Sequence, residues 1–472
     1  AGANATVNNI GTISINGVSC TGSACGSANN AIVLNGGTLN QNGLMSAASL
    51  NLDNFGGNVV ASTNTVFDIE EDISGDLAMS SDVVSSGFDD QYTVKNMVNA
   101  ADTSGLNLSS QSALFEATLN DDGDAILNRK NFAEVVEDDS VANFLEQNYV
   151  SANNEQLFST LKEQKSALQV NNAVNKLTGS DLFNRMTFED LTMMRELQFD
   201  MNNKVFDMKK SHIVESGNVQ PFNFDGNIGS NGRYALYNKE YGSRFSAGVG
   251  FAFADVRSDN GKRHKNSRND QTFQLSTPFG YRFGGLKFVT APMVGYAYGT
   301  YDRDGYNGKT YDGTVEKRMM GLYNEARYPF YFGEWKMAPT AEFNILGYRI
   351  KGKEDTADYS LNIKAQNNYS AEAGVGINIS RDFELNKAQT LKMHGGIMAY
   401  HEFAYPYELE LGMNGMDGSY KLDDNRYGNN RTAVRLGLEY KLKEYLDVSA
   451  HLLSNINRHT RTDAAVDMKY HF

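Results

Sequence analysis

No run of eighteen apolar residues occurs anywhere in the sequence, which excludes a membrane-spanning helix. It does not exclude a membrane. A barrel strand needs only about ten residues of alternating polarity, and its lumen face keeps mean hydropathy low. Proline is scarce, with 6 in 472 residues, and tryptophan occurs once. The opening residues "AGANATVNNIGTISING" lack the basic start and apolar core of a secretory leader. They read as a mature N-terminus or as a fragment boundary. Only two cysteines are present, Cys20 and Cys25 in "CTGSAC". This spacing reads as a small disulfide loop formed in an oxidising compartment; a metal site there lacks two further ligands. No histidine precedes His212. The first two hundred residues therefore hold no Ser-His-Asp, Cys-His or His-ligated zinc site.

Basic residues are almost missing from the front as well. Residues 1–140 carry 18 Asp and Glu against 3 Lys and Arg, a net of −15. The whole chain is −14, so residues 141–472 sum to +1. An acidic front argues against nucleic acid as its partner. Acidity that keeps an extracellular module in solution is the plainer account. "NDDGD" at 120–124 offers oxygen ligands, but lacks the spacing and final Glu of a calcium loop. Asp121, Asp122 and Asp124 read as a turn before a strand.

The sequence is rich in glycine (44), tyrosine (25) and phenylalanine (26), which suits long antiparallel strands joined by turns. Three regions follow. Residues 1–140 hold short β-prone runs between Gly and Asn corners, such as "GTISING" and "NAIVLNGGTLNQNG". They predict a stacked β-helix with asparagines laddering in its turns, with a β-sandwich as the alternative. Residues 141–213 change to helical spacing, with Leu157, Leu161, Leu168, Val174 and Leu177 as the apolar stripe. A second helical stripe runs through Leu191, Met194, Leu197, Val205 and Met208, with Ser180 or Asp181 as a cap. Its other faces carry both charge signs with Asn and Gln, which suits a solvated surface or a wet pore.

From residue 214 the period becomes two. Val466, Met468, Tyr470 and Phe472 share one face, and Asp467, Lys469 and His471 share the other. Phe245, Val249, Phe251 and Phe253 oppose Ser246, Gly248, Gly250 and Ala252. Such strands separate two different solvents. The runs are too long for a sandwich and suit strands tilted across a membrane. Twelve are predicted, near 216–226, 231–238, 244–257, 270–283, 286–301, 316–332, 335–350, 369–381, 390–406, 431–442, 445–457 and 462–472. Tight links in "NKEYG" at 238–242 and at 284–285, 333–334 and 443–445 alternate with long ones at 258–269, 302–315, 351–368 and 407–430, except that the first and last links on the long-loop rim are short and 382–389 is intermediate. An even strand count with short turns on one rim and long loops on the other is the pattern of bacterial outer-membrane barrels. "HGG" at 394–396 falls inside a strand and is not an oxyanion loop. His401 and Glu402 are adjacent, and alternation places them on opposite faces.

An acidic β-helical front, then helices, then a twelve-stranded barrel closing on Phe472 resembles a bacterial autotransporter of the type V secretion class. The resemblance implies an all-β fold: a 12-stranded antiparallel transmembrane β-barrel with a lumen helix, preceded by a short β-helix-like passenger segment. The expected domains are a passenger remnant at 1–140, a helical linker with the pore helix at 141–213, and the translocator at 214–472. Within the linker, 185–212 is the best match to the pore helix. It implies an outer-membrane location, with the N-terminal part at the cell surface or secreted. Implied partners are outer-membrane lipid, the barrel-assembly machinery and periplasmic chaperones, with a monomeric barrel and no cofactor or metal. Phe472, Tyr470 and Met468 occupy the assembly-signal positions. Some family members cleave themselves between two asparagines of the lumen helix by cyclisation of the first. Asn202 and Asn203 in "DMNNKVFDM" stand where that bond would be, with Asp200 beside them, but the surrounding residues depart from the self-cleaving motif. Any catalytic passenger domain would lie upstream of residue 1. The competing readings are an adhesin whose acidic front binds cells, and a barrel enzyme with an acid–base pair in its lumen or rim. Deleting Phe472 is expected to reduce membrane assembly in cells far more than it lowers the stability of the refolded barrel; equal losses in both measurements count against the signal.

Overall fold

In a computed structural model of the chain, the described residues are 6–9, 13–15, 37–149, 154–207, 213–219, 228–259, 266–306, 308–422, 429–442, 446–456 and 461–470. Cys20, Cys25 and Phe472 lie outside them. The chain divides into two compact units, Ala1–Asn175 with Gly415–Gly418, and Lys176–Asn414 with Ser419–Phe472.

The first unit is wound from short parallel strands. Thr6–Asn9, Thr38–Gln41, Asn58–Ala61, Asp72–Met79 and Asp102–Ser110 form one parallel sheet. Ile13–Ile15, Leu44–Ala47, Val66–Ile69 and Val98–Asn99 form another. The chain visits the two in turn, so each circuit stacks on the previous one. Stacking puts like on like: Leu39, Val59 and Leu77 share one register column, and Met45 and Phe67 are paired in the other sheet, all buried. No single circuit covers its own apolar face; its neighbour does. Outside the core, Asn99 donates to Asp68 at 2.8 Å and Asn107 to Asp76 at 2.9 Å. The amide ladder expected in the turns is thus an amide–carboxylate pairing along the strands. In these two columns an amide, not a second carboxylate, stands beside each acid, whereas Asp102 falls in register with Asp72.

An antiparallel sheet of Phe115–Leu119, Ala125–Arg129 and Gln91–Val94 follows. The acids of "NDDGD" form its hairpin turn: Asn120 Oδ1 accepts the Asp122 and Asp124 amides, and Asp124 Oδ1 accepts the Asn96 amide. Three helices come next, α1 (Asp139–Asn148), α2 (Glu155–Lys162) and α3 (Ala167–Thr178). Asp138 caps α1 by accepting from Ser140 and Val141. Phe88, Phe132, Tyr149 and Phe158 pack edge to face beneath α1 and α2. Arg129 forks onto Glu146, bonds Asp90 at 2.6 Å and lies 4.3 Å from the Tyr149 ring. Leu157, Leu161 and Val174 are buried as expected, but Leu168 is 70% exposed. It stands in the first turn of α3, beyond the buried stripe that begins at Val170.

In the second unit, α4 (Ser180–Asp207) precedes a sheet whose path runs through twelve strands. They are Ile213–Val219, Ile228–Tyr241, Phe245–Asp259, Ser267–Ser276, Leu286–Asp304, Thr310–Arg327, Trp335–Glu354, Leu361–Asn386, Gln389–Glu402, Asn430–Leu442, Leu446–Ile456 and Arg461–Tyr470. Every pairing along this path is antiparallel. The first and last strands come alongside each other, so the sheet curls back on itself. Alternation sends Phe251, Phe273, Val294, Met320, Ile345, Val375 and Leu436 outward, where they are exposed, and their neighbours inward. No described helix is long and apolar enough to cross a membrane. Gly284 and Gly333 take positive φ in tight turns at one rim.

The strands outrun their apolar stretches. The links expected at 302–315 and 351–368 shrink to 305–309 and 355–360, and 382–389 becomes a tight turn between Asn386 and Gln389. Two further strands, Leu409–Met413 and Tyr420–Leu422, form a hairpin inside 407–430, and the first of them pairs with Leu361–Asn386. Beyond the membrane band both faces of a ladder are wet, so the backbone bonds persist while the polarity period disappears. Helix α4 runs from Ser180, at the end where Ser180 or Asp181 was expected as a cap, to Asp207. Ser180 is inside the helix, and the Gly179 carbonyl accepts the first amides.

Lys162 provides a pH test of the first unit. It is 1% exposed, donates to the Gly87 carbonyl at 2.6 Å and stands near the rings of Phe88, Tyr92 and Tyr149. Burial pushes its ammonium down to about 8, against the pull of Glu155 and Asp89. The unfolded lysine holds its proton to about pH 10.4, so stability should rise between about pH 8 and 10. Above pH 10 it should fall, because burial holds the Tyr92 and Tyr149 hydroxyls above their usual range. Urea midpoints of this unit within the full chain, read by pulse proteolysis, should climb from pH 7.5 to 9.5 and lose that climb in Lys162→Met.

Candidate functional site

The lumen of the second unit is filled by α4, which meets the wall through an apolar ridge and through a set of buried polar side chains. Met193, Leu197, Met201 and Val205 repeat every four residues, which lines them along one side. That ridge packs on Tyr234, Leu236, Ala252, Ala254, Val256 and Val289. Gly232 and Gly250 interrupt that wall where the helix comes closest. A Cβ at Gly232 would sit 2.9 Å from Leu197, and one at Gly250 2.6 Å from the Met201 sulfur. A uniformly polar lumen, as the alternation alone implied, is therefore corrected: this half is an apolar core.

Helix α4 also carries Thr187, Asp190, Arg195, Gln198 and Asn202, all buried; Asp190 stands three residues before Met193 on the same side, while Arg195 and Asn202 turn away from the ridge. Each meets a polar partner on the barrel or the helix. Asp190 bonds both Arg268 and Lys317, and these two also share Asp270. The group holds two carboxylates and two cations. Arg195 reaches Glu402 at 2.9 Å, Glu372 at 3.3 Å and the Ser370 hydroxyl at 2.5 Å. Arg431 forks onto Glu372 at 2.7 and 2.8 Å, and Glu402 accepts the Ser370 hydroxyl and the Ala371 amide. That group is again two against two. Thr187 accepts from the Tyr348 hydroxyl at 3.1 Å, and Gln198 accepts from Gln274 at 2.9 Å.

A third clamp holds the approach to α4. Arg303, 1% exposed, forks onto Glu354 at 2.6 and 2.7 Å. It also donates to the carbonyls of Lys176 and Leu177, the last turn of α3, while Tyr420 donates to the Thr178 carbonyl. These are the acceptors a helix end leaves open, so a buried cation at a C-terminus suits both bonding and dipole.

Asn202 accepts from Gln198, one turn earlier, at 2.8 Å. It borders a cavity of about 20 Å³ with Glu325, Glu342, Tyr323, Asn344, Tyr400, Arg431 and Arg435. That space suits roughly one water molecule. Glu342 accepts from the Tyr400 hydroxyl at 3.0 Å, and Glu325 bonds Arg327. Asn203 lies in the same helical turn; its side chain and that of Asp200 are outside the described set. Of the terminal positions, Met468 pairs in register with Val448 and Tyr470 with Leu446. His401 and Glu402 stand on opposite faces, one exposed beside Asn430, the other buried under Arg195.

Residues 307–452 match the family model described as the autotransporter beta-domain. Over that span, about a third of its length, the chain is similar to an autotransporter β-domain. Among solved structures, the translocator domain of autotransporter NalP from Neisseria meningitidis is similar at 10% identity and a TM-score of 0.49, covering 62% of this chain and 99% of that one. The beta domain of the Bordetella autotransporter BrkA follows at 13% identity and 0.39, covering 54% and 96%. The transport unit of autotransporter AIDA-I from Escherichia coli stands at 13% and 0.31, covering 54% and 88%. No curated protein matches the chain. The assignment rests on the family match.

None of the ion-pair residues in this β-domain stood out in the sequence. Their signal was there: charged residues at inward positions of otherwise alternating strands, such as Arg268, Asp270 and Glu372, next to a helix carrying Asp190 and Arg195. Which cation meets which acid depends on register, and the strands do not announce it. Removing Arg195 leaves Glu372 and Glu402 facing each other with Arg431 alone, a change worth about 3–5 kcal/mol for a buried pair. Arg195→Ala should lower the temperature at which the folded band is lost in detergent gels and raise conductance in planar bilayers. The exposed-site change Leu168→Ser should alter neither.

Proposed function

We infer that this protein is an outer-membrane translocator that exports its own N-terminal part and holds it at the cell surface. The observation behind this reading is a barrel that matches the autotransporter β-domain and whose lumen helix is held by an apolar ridge and by buried ion pairs. The helix leads directly from the first unit into the first barrel strand, so the exported chain and the anchor are one polypeptide. A plug held by neutral ion clusters seals the pore once transit is over. The barrel acts as a monomer, is inserted by the barrel-assembly machinery after escort by periplasmic chaperones, and reads out its last strand, Met468, Tyr470 and Phe472, as the assembly signal. We assign the barrel no catalysis on other molecules. The first unit serves as the stem of the displayed part; an adhesive role for its acidic surface is the alternative, and it requires the isolated stem to bind cells.

A second reading has one observation in its favour. The carboxylates Glu325 and Glu342 line the cavity that Asn202 borders. Cyclisation of Asn202, with its side-chain nitrogen attacking its own carbonyl, would release a fragment beginning at Asn203. Both readings are tested together. Protease added to intact cells should remove the first unit and spare the barrel, and the barrel should migrate faster unheated than boiled. A first unit protected in intact cells would overturn export. Mass spectrometry of the inserted chain decides cleavage: a fragment starting at Asn203 that disappears in Asn202→Ala supports it, and an intact chain ends it.

A further inference from the structure

The outward wall of the barrel changes character along the strands Thr310–Arg327 and Trp335–Glu354. From the tight-turn rim upward its exposed positions are apolar, with Phe343, Ile345, Leu322 and Met320 between 37% and 67% exposed. The next outward positions are cationic. Register places Arg318 directly opposite Arg349, then Glu316 opposite Lys351, then Thr314 opposite Lys353. Two arginines facing each other across an antiparallel pair repel and are normally avoided. Glu316 is the one acid among them, and it is already shared, by Arg318 at 2.8 Å and Lys351 at 2.9 Å. The side chains of Arg318 and Lys351 are nonetheless 70% and 54% exposed. No partner of Arg349 or Lys353 occurs among the described residues. Four cations thus stand against one carboxylate. The next acid on this face, Asp312, lies beyond Thr314 and sits opposite Asp302. Tyrosines flank the group: Tyr296 opposite Arg318, Tyr298 opposite Glu316, and Tyr369 opposite Gly347, all more than 40% exposed.

The height of the group is set by the fold. It lies on the rim of the longer loops, away from the turns at Gly284 and Gly333. Arg318 is ten residues along its strand from Tyr328, an exposed aromatic by the tight-turn rim. With the usual tilt, that spacing is about 25 Å, the height of a barrel's apolar band. The cations therefore meet the membrane where acyl chains end and headgroups begin.

We propose that this patch is a binding site for a phosphorylated glycolipid of the outer leaflet, with Arg318, Arg349 and Lys351 gripping its phosphate and Tyr296 and Tyr369 lying along its sugar and upper acyl region. A phosphate brings a charge of −1.5 to −2 and three acceptor oxygens. It resolves the Arg318–Arg349 repulsion by taking a fork from each. Met320, Leu322, Phe343 and Ile345 then receive the acyl chains of the same molecule. The inference rests on the reading of this unit as an outer-membrane barrel.

The test uses the full chain in detergent, with native mass spectrometry to count retained lipid. The probes are lipid A carrying both phosphates and the same lipid dephosphorylated. The wild type should retain the diphosphorylated form and release the dephosphorylated one. Arg349→Gln/Lys351→Gln should reduce retention by about tenfold or more, the scale of one lost charge-assisted hydrogen bond. Lys239→Gln, near the tight-turn rim, should behave as wild type. Equal retention of the two lipids by the wild type, or equal retention of lipid A by the double variant, overturns the site. The heat-dependent gel shift of each sample is read alongside, so loss of the barrel is distinguished from loss of the site. Should the double variant lack the shift, Lys351→Gln alone carries the comparison, and unchanged retention there counts against the proposal.

Discussion

A charge inside a membrane barrel has nowhere to go but across the lumen. Arg195 on α4 is surrounded by wall, and Glu372 and Glu402 on that wall face a helix. Each would carry a heavy desolvation cost alone, and together they offset it only while the helix stays in place. The same holds for Asp190 with Arg268 and Lys317. The helix is therefore not lodged in the barrel by shape alone; its presence is what makes the wall's charges tolerable.

This constraint explains the division of the lumen. Along Met193, Leu197, Met201 and Val205 the wall sets Gly232, Gly250, Ala252 and Ala254 among Tyr234, Leu236, Val256 and Val289, and contact there depends on close fit. A fit of that kind fixes distance well and rotation poorly. The ion pairs fix rotation and height, because each is specific to a pair of atoms. Buried ion pairs give little net stability and more often specify arrangement. Here they choose one seat for a helix that the apolar ridge alone would allow to slide. The Arg303 clamp on the end of α3 adds a stop to movement along the axis.

Much of the wall could be read from the sequence. Phe245, Val249, Phe251 and Phe253 against Gly248, Gly250 and Ala252 gave the period and the outward face, since lipid and lumen impose opposite choices at adjacent positions. Where that difference vanished, so did the signal: Thr310–Gly313, Gly352–Glu354 and Leu361–Gln366 continue the ladders with water on the outside, and they looked like loop. Leu168 fitted a helical period yet faces outward, because spacing identifies a stripe but not where burial starts. The lumen clusters were the least legible. Arg268 and Glu372 showed only that something polar faced inward; Lys317 near Asp190 is a product of register across several strands, which local pattern does not carry.

The strand Leu361–Asn386 is 26 residues long. Crossing the apolar band takes about ten. At a rise of about 3.3 Å per residue, most of its length stands outside the hydrocarbon. Together with its neighbours and the hairpin of Leu409–Met413 and Tyr420–Leu422, it makes a stiff collar above the membrane, not a fringe of loops. Paired backbone fixes the outline of that rim, which unpaired loops of the same length would leave free to change.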